Sequence, residues 1–340
     1  MSKIARINQI SKRFRPAVKA GGIGYAGILG FVLISNFSIF NPNWPFGLFA
    51  SFMSFLIVAF PFVLGALFVV WRKAIPPVIG LALLAFYPFY TFDKMVNPSK
   101  ESCHQIDCVT VVAANLRHNA YALKELAKTK SQESDILIIV EFPFTTTSNE
   151  LLALFPMGGE AQIGVLTDPN TKLGSRIAVL SRKPLSALGM QTYDFASAKF
   201  PNRGIARFKY STPAGGDIDF VVVHPPPPKD IAKTAGRDAY LKAASKSLTE
   251  TENFVLIGDF NLTPWEPVFD RLPGKRAGDP RWSRTWNARN FVERITIDHA
   301  LLGEGIGLSE MNVMRDVGSD HFPLHLVIYP KTQAEKVSSR

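Results

Sequence analysis

The sequence predicts an α/β domain that is preceded by an N-terminal module of apolar helices. Two observations lead to this prediction. Short apolar runs, each of strand length, alternate with helical patches through the last two thirds of the 340-residue chain. The first hundred residues are instead dominated by one long stretch without charge. Continuously apolar runs are typical of strands in a sheet that is covered on both faces.

The N-terminal module has the length and composition of a membrane anchor. No charged residue occurs from Ala20 to Trp71, which far exceeds the ~20 apolar residues that one crossing requires. The motif Asn41–Pro45 divides this stretch, and two prolines open a further apolar run. The predicted spans are Ile23–Phe40, Phe46–Trp71 and Ala74–Phe92. The predicted domains are a basic tail over 1–22, three transmembrane helices over 23–92, a linker over 93–107, the α/β domain over 108–330 and a tail over 331–340.

The distribution of charge predicts the orientation of these helices. The net charge is +10, of which residues 1–20 supply +6 and residues 21–100 supply +3, leaving +1 for residues 101–340. Arg72 and Lys73 follow the second span, whereas the loop before it is uncharged. The positive-inside rule then places the N-terminus in the cytoplasm and the domain outside it. In a bacterium this is the periplasmic face of the inner membrane.

Cys103 and Cys108 are the only two cysteines, and both follow the third predicted span. An even pair outside the cytoplasm predicts a disulfide, because thiols there tend to be oxidised. The alternative is a pair of free thiols. A zinc site with the intervening His104 does not match the usual ligand spacing.

The remaining chain is predicted as an alternation of strands and helices. The predicted strands are Cys108–Ala113, Asp135–Val140, Ile177–Leu180, Ile218–Val223, Phe254–Ile257, Arg294–Leu302 and Leu324–Tyr329. Helical patterns cover Ala120–Lys130 and Asp230–Leu248. No internal repeat is present.

Polar residues of catalytic type follow these apolar runs. They are Asn115, Glu141, His224, Asp259, Asn261, Asp320 and His321. Asp298 lies within its apolar run instead. Because side chains alternate along an extended backbone, Asp259 and Asn261 share one face while Phe260 points away. Each residue alone has an ordinary structural explanation, such as a helix cap for Asn115. Their joint occurrence after successive strands predicts a catalytic site.

Three short motifs give the sequence a family resemblance. GDFN at Gly258–Asn261, IDH at Ile297–His299 and SDHFP at Ser319–Pro323 resemble the hallmarks of the endonuclease/exonuclease/phosphatase superfamily, which has the deoxyribonuclease I-like fold. The segment Arg284-Thr285-Trp286 is similar to one that many members have. The resemblance covers about residues 105–330. It implies a two-sheet, four-layer α/β sandwich with an active site at one edge.

The resemblance also implies the chemistry of the site. Glu141 would ligate a divalent cation, Mg²⁺ or Mn²⁺, with Asn115 beside it. Asp259 would orient or deprotonate the attacking water, and Asn261 would hold a phosphate oxygen. Hard cations prefer carboxylate oxygens, which agrees with these residue types.

The two histidines would act on the phosphate. The resemblance implies that His321 contacts the scissile phosphate and that Asp298 holds its tautomer. Asp320 would support this pair or contact the metal. His224 would be the second histidine, and it would contact either the phosphate or the leaving group. A histidine–carboxylate pair supplies a proton carrier near neutral pH.

These residues predict a membrane-anchored, metal-dependent phosphoester hydrolase, with a phosphodiester or a phosphomonoester as substrate. The predicted partners are the lipid bilayer and a phosphoester, either a phospholipid head group or nucleic acid, and no protein partner is inferred. The alternatives are a nuclease acting outside the cytoplasm and an inactive membrane scaffold. The low net charge of the domain favours a substrate carried by a lipid. The identity of the substrate depends on the loops 142–175 and 264–293.

Overall fold

The computed structural model describes residues 3–36, 51–99, 108–158, 162–167, 176–192, 204–212, 216–246, 248, 250–290 and 294–332. The chain divides into two compact units. The helical unit comprises Met1–Asp93 and the short segment Trp265–Phe269. The sandwich unit comprises Lys94–Pro264 and Asp270–Arg340.

Among the described residues, the helical unit contains three long α-helices and one short one. These are α1 (Lys3–Asn36), α2 (Met53–Val70), α3 (Ile75–Tyr90) and the one-turn α7 (Pro267–Asp270), whose last residue belongs to the sandwich unit. Buried side chains such as Leu29, Leu67 and Phe86 pack among the long helices. Within the same unit the ring of Trp265 lies 4.5 Å from that of Phe89, centroid to centroid.

Two of the three predicted spans are helices long and apolar enough to cross a membrane. They are Arg13–Leu33 within α1 and Met53–Val70. Helix α1 begins at Lys3, so the predicted basic tail is helical and continuous with the first span. The third predicted span is a helix of only 16 residues. The predicted loop Asn41–Pro45 lies outside the described residues.

The sandwich unit is built on two sheets, which confirms the predicted fold class. One sheet has the strand order β1-β10-β11-β9-β8-β7-β6, and the other has the order β12-β13-β2-β3-β5-β4. The strands are β1 (Met95–Val96), β2 (Val109–Asn115), β3 (Ile136–Val140), β4 (Gln162–Thr167), β5 (Arg176–Ser181), β6 (Ser186–Thr192), β7 (Gly204–Ser211), β8 (Asp217–Val223), β9 (Phe254–Asp259), β10 (Lys275–Ala277), β11 (Asp298–Leu302), β12 (Ile306–Val313) and β13 (Leu324–Pro330).

The main core of this unit lies between the two sheets. Val111 and Ile138 from one sheet and Val222 and Ile257 from the other belong to one buried cluster. The opposite faces of β2 and β3 form a second cluster with α4 (Ala120–Leu126) and α5 (Ser148–Leu154). These strands are therefore buried on both faces, which explains their continuous apolar runs.

Helix α6 (Ile231–Lys246) packs on the other sheet. Its Tyr240 is fully buried, and the hydroxyl donates to the backbone oxygen of Gly204 at 2.9 Å. The same hydroxyl accepts a hydrogen bond from the backbone nitrogen of His224 at 3.2 Å. This helix therefore fixes the backbone just beyond β8.

Two parallel strand pairs, one in each sheet, position the polar residues. Strand β2 pairs with β3, so that Asn115 lies opposite Val140. Strand β8 pairs with β9, so that Val223 lies opposite Gly258. The carboxyl ends of parallel strands share one edge of a sheet, and the polar residues follow at those ends.

Gly258 allows β8 and β9 to approach closely at this edge. Its φ is +138°, and a Cβ atom there would lie 2.2 Å from the backbone oxygen of Val223. Only glycine avoids this overlap with the neighbouring backbone. The glycine of the GDFN motif is therefore a requirement of the strand pairing.

Cys108 precedes β2 and is disulfide-bonded. Cys103 lies outside the described residues. The pairing of these two cysteines therefore stays a prediction.

Candidate active site

Four of the predicted residues lie at the carboxyl ends of the parallel strand pairs. Asn115 is the last residue of β2, and Glu141 directly follows β3. His224 directly follows β8, and Asp259 is the last residue of β9. Side-chain contacts across the two sheets bring all four together.

Asp259 lies at the centre of this group. Its Oδ2 atom accepts a hydrogen bond from Nδ2 of Asn115 at 3.0 Å, and it lies 3.8 Å from Nε2 of both His224 and His321. The side chain is only 2% exposed. Burial raises the pKa of Asp259, and the charge of Asp298 adds to this rise, although the two histidines oppose it.

Asn261 shapes the turn that follows Asp259. Its backbone nitrogen donates to Oδ1 of Asp259 at 2.8 Å, and its Nδ2 donates to the backbone oxygen of Pro225 at 3.0 Å. Its φ is 47°, a left-handed conformation that asparagine tolerates better than most residues. Phe260 between them is fully buried, as the alternation of side chains predicts.

Glu141 lies between two histidines. Its Oε1 atom is 3.2 Å from Nε2 of His224, and its Oε2 atom is 4.0 Å from Nε2 of His118. Burial opposes ionisation, but the hydrogen bond and charge of His224, with the charges of His118 and His321, lower the pKa of Glu141 to about 2. The carboxylate is ionised at neutral pH and 24% exposed, so it is available to a cation.

His118 belongs to this site and was missed in the sequence analysis. Its Nδ1 atom lies 3.0 Å from the backbone oxygen of Phe142, which can only accept, so Nδ1 carries a proton. Its ring stacks on Phe144 with centroids 4.3 Å apart. His118 follows no apolar run, and only its position three residues after Asn115 could have signalled its role.

His321 and Asp298 form the predicted pair. Nδ1 of His321 lies 2.9 Å from Oδ2 of Asp298, whose backbone nitrogen donates to Oγ1 of Thr285 at 3.0 Å. Burial opposes the charged form, but the charges of Asp298, Asp259 and Asp320 raise the pKa of His321 to about 9. The imidazolium form therefore predominates at neutral pH.

Asp320 has one oxygen in an ion pair and one without a partner. Its Oδ2 lies 3.2 Å from Nη1 of Arg117. Its Oδ1 is buried and has no hydrogen-bond partner within the described part of the chain. A buried carboxylate oxygen without a partner costs free energy, which a bound cation would recover.

The donor set fits a hard divalent cation. Ligand atoms of Asp259, Asp298 and His321 lie within 4.8 Å of one another and could hold a metal ion. The ionised Glu141 and the partnerless oxygen of Asp320 offer further oxygen donors to such a cation.

Comparison with known families agrees with the geometry. The model of the endonuclease/exonuclease/phosphatase family matches residues 111–321, which include the site residues from Asn115 to His321. This chain belongs to the endonuclease/exonuclease/phosphatase family. The family consists of hydrolytic phosphoesterases that use divalent metals, and the predicted resemblance is confirmed.

Solved structures agree with the fold of this family. An endonuclease/exonuclease/phosphatase from Beutenbergia cavernae has a TM-score of 0.50 and 14% identity, over 66% of this chain and 72% of that one. The structure of SmcL has a TM-score of 0.51 and 13% identity, over 66% of this chain and 99% of that one. No curated protein sequence matches the chain.

Proposed function

We propose that this protein is a divalent-metal-dependent phosphodiesterase that uses Asp259 as its base. The observation that supports this best is the environment of one atom. Oδ2 of Asp259 has an amide donor at 3.0 Å and two imidazole nitrogens at 3.8 Å. A buried carboxylate with a raised pKa, surrounded by groups that can donate protons, suits general base catalysis.

In the proposed reaction Asp259 takes a proton from the attacking water. The water oxygen forms a bond to phosphorus while the bond from phosphorus to the leaving oxygen breaks. His224 donates a proton to the leaving oxygen, since its Nε2 lies near both Glu141 and Asp259. Asn115 orients the base through its hydrogen bond.

The phosphate group is held by His321 and Asn261 in this proposal. With its pKa raised to about 9, His321 presents a positive charge to a phosphoryl oxygen at neutral pH. Asp298 holds the ring through Nδ1, so that Nε2 faces the substrate. The second amide hydrogen of Asn261 would bind the phosphoryl oxygen, since the first donates to the backbone oxygen of Pro225.

Glu141, Asn115 and Asp320 are the proposed holders of Mg²⁺ or Mn²⁺. The bound cation would neutralise charge that develops on the phosphate. The support for this assignment is the low pKa of Glu141 and the partnerless oxygen of Asp320. His118 would then lie at the edge of the cation site, where its Nε2 is 4.0 Å from Oε2 of Glu141.

A phospholipid head group is the proposed substrate class. The two long apolar helices support attachment to a bilayer, and the charge of +1 over residues 101–340 does not favour a long polyanion. The proposed location is the inner membrane of a bacterium, with the N-terminus in the cytoplasm and the catalytic domain outside it. The disulfide at Cys108 supports an oxidising compartment.

One surface feature supports the alternative of a nuclease. Three arginines and Trp282, which is 82% exposed, line a pocket of about 430 Å³. The arginines are Arg281, Arg284 and Arg294. Guanidinium groups beside an exposed indole suit phosphates and stacked bases of a single strand. An inactive scaffold has no comparable support, since it does not require the contacts around Asp259.

The test is hydrolysis by the full-length protein in detergent micelles. The substrates are bis(p-nitrophenyl) phosphate, phospholipid in mixed micelles and a labelled oligonucleotide, each with Mg²⁺ and with EDTA. We expect cation-dependent hydrolysis that Asp259→Asn lowers by about 10³-fold. Wild-type turnover in Asp259→Asn would contradict the proposed base. A steep decrease of oligonucleotide binding with salt would favour the nuclease.

A further inference from the structure

Two fully buried arginines lie behind the turn from Asp259 to Leu262. Arg237 on α6 is 1% exposed, and Arg276 on β10 is 0% exposed. They are the two largest fully buried side chains among the described residues. Burial of a guanidinium is unfavourable unless its donors are satisfied, so its partners indicate what the buried charge stabilises.

Arg276 directs its donors to neutral acceptors. Its Nε atom donates to Nδ1 of His299 at 2.9 Å. The remaining contacts are from Nη1 to the backbone oxygens of Ala277 at 2.9 Å and Gly278 at 2.7 Å, and from Nη2 to Oγ of Ser283 at 2.8 Å. Because arginine can only donate, Nδ1 of His299 must accept.

The tautomer of His299 follows from this contact. A neutral imidazole that accepts at Nδ1 carries its proton on Nε2. That atom lies 2.8 Å from the backbone oxygen of Leu262, so it donates to this oxygen. Burial and the charge of Arg276 lower the pKa of His299 well below its usual value, which agrees with a neutral ring.

His299 therefore has a different task from its neighbour Asp298. The two side chains point to opposite sides of β11, because they are adjacent in a strand. Asp298 contacts His321, whereas the ring of His299 meets the ring of Phe260 edge-on at 5.1 Å. His299 lies behind the catalytic turn, where its two ring nitrogens contact Arg276 and the carbonyl of Leu262.

The backbone carbonyl of Asn261, which precedes that of Leu262 in the same turn, also accepts a hydrogen bond from a buried side chain. Nη1 of Arg237 donates to the backbone oxygen of Asn261 at 2.9 Å. Two successive carbonyls, those of Asn261 and Leu262, are thus bound from behind by buried side chains. Between these contacts the backbone of Asn261 is held at a φ of 47°.

We propose that Arg276 and His299 are positioning residues for the Asp259–Leu262 turn. Arg276 fixes the tautomer and orientation of His299, and His299 holds the carbonyl of Leu262. The conformation of this turn determines the positions of the Asp259 and Asn261 side chains. A displacement of a catalytic group by about 1 Å can lower turnover by about 100-fold. The kinetic part of this inference rests on the proposed function.

The test compares His299→Gln with His299→Leu in the full-length protein. Glutamine can place an amide N–H where Nε2 stood, whereas leucine cannot donate. For bis(p-nitrophenyl) phosphate with Mg²⁺, we expect His299→Leu to lower kcat by about 100-fold with KM changed less than about twofold. His299→Gln should recover at least about tenfold of this loss.

The matched control is His325→Leu on β13. His325 is also buried, at 8% exposure, and its Nδ1 faces Glu310 at 3.6 Å rather than the catalytic turn. We expect its kcat to equal that of the wild type. Equal losses in His299→Gln and His299→Leu, or a wild-type kcat in His299→Leu, would overturn the proposal.

Hydrogen exchange provides a second measurement that needs no substrate. We expect the amides of residues 258–264 to exchange faster in His299→Leu than in the wild type, His299→Gln or His325→Leu. Unchanged exchange in His299→Leu would overturn the positioning role. An inactive wild type would contradict the proposed function alone, and the exchange rates would then decide the role of His299.

Discussion

Asn115 and Asp259 belong to different sheets, yet Nδ2 of Asn115 donates to Oδ2 of Asp259 at 3.0 Å. Both side chains are buried, at 3% and 2% exposure. The contact thus joins the two halves of the sandwich at the position of the proposed chemistry. In the proposed mechanism this pair of atoms would serve both the fold and catalysis.

We predict that Asn115→Ala weakens both stability and turnover. The free energy of unfolding should fall by about 1–3 kcal/mol, because a buried carboxylate oxygen loses its donor. The kcat should fall by about 100-fold, because Asp259 is no longer oriented. Chemical denaturation and hydrolysis of bis(p-nitrophenyl) phosphate measure the two effects. The control is Asn312→Ala, at an exposed position on β12, which should change neither stability nor turnover. Wild-type turnover in Asn115→Ala would refute the orienting role.

Glu141→Gln should raise the concentration of Mg²⁺ required for activity. The substitution keeps the shape of the side chain but removes the charge that its low pKa preserves. We expect half-maximal activation to shift to at least about tenfold higher Mg²⁺. The exposed Glu304→Gln serves as control. An unchanged activation curve would remove Glu141 from the metal site.

The stability of the metal-free protein should fall between about pH 6.5 and pH 9. In the folded protein the pKa of His321 is raised from 6.5 to about 9. Its contribution to the free energy of unfolding is therefore complete below pH 6.5 and is lost as the pH rises through 9. Each tenfold difference in proton affinity corresponds to ~1.4 kcal/mol, so the loss is about 3 kcal/mol. Denaturation in EDTA at several pH values measures it. His321→Gln should flatten this dependence, and an equally steep decrease in the variant would assign it to other groups.

The predicted topology can be tested with the two cysteines. If Cys103 and Cys108 are bridged outside the cytoplasm, a membrane-impermeant maleimide should label intact spheroplasts only after reduction. Cys108→Ser should leave Cys103 reactive without a reductant. Labelling of the wild type that needs no reductant and requires a permeabilised inner membrane would contradict both the bridge and the orientation.

The strands that carry the site could be predicted because their environment is uniform. Strands β3 and β9 are buried throughout, and β2 and β8 are buried over their last five and four residues, so their apolar runs are continuous and the polar ends stand out. Asp298 was predicted inside a strand that begins only at that residue. The predicted contact between Asp298 and His321 exists, whereas the roles of the site residues stay predictions.

Other strands had no such signal. Strand β7 alternates buried and exposed residues toward its end and includes Arg207 and Lys209. Strand β10 has only three residues, two of them basic. Strands β4, β6 and β12 were also not predicted. His118 was missed for a related reason: it reaches Glu141 from a loop, and loops have no periodicity that reveals where a side chain points.

The position of the site at the junction of two sheets has a consequence for the order of folding. Asn115 and Asp259 are 144 positions apart in the chain. Contacts of such long range form after local pairings, because a long loop must first be closed. In a chain with only one sheet assembled, the proposed base Asp259 would lack the amide donor of Asn115, which lies in the other sheet. The newly made polypeptide would therefore be inert while it is still unfolded, and the onset of hydrolysis would mark the moment at which the two sheets meet.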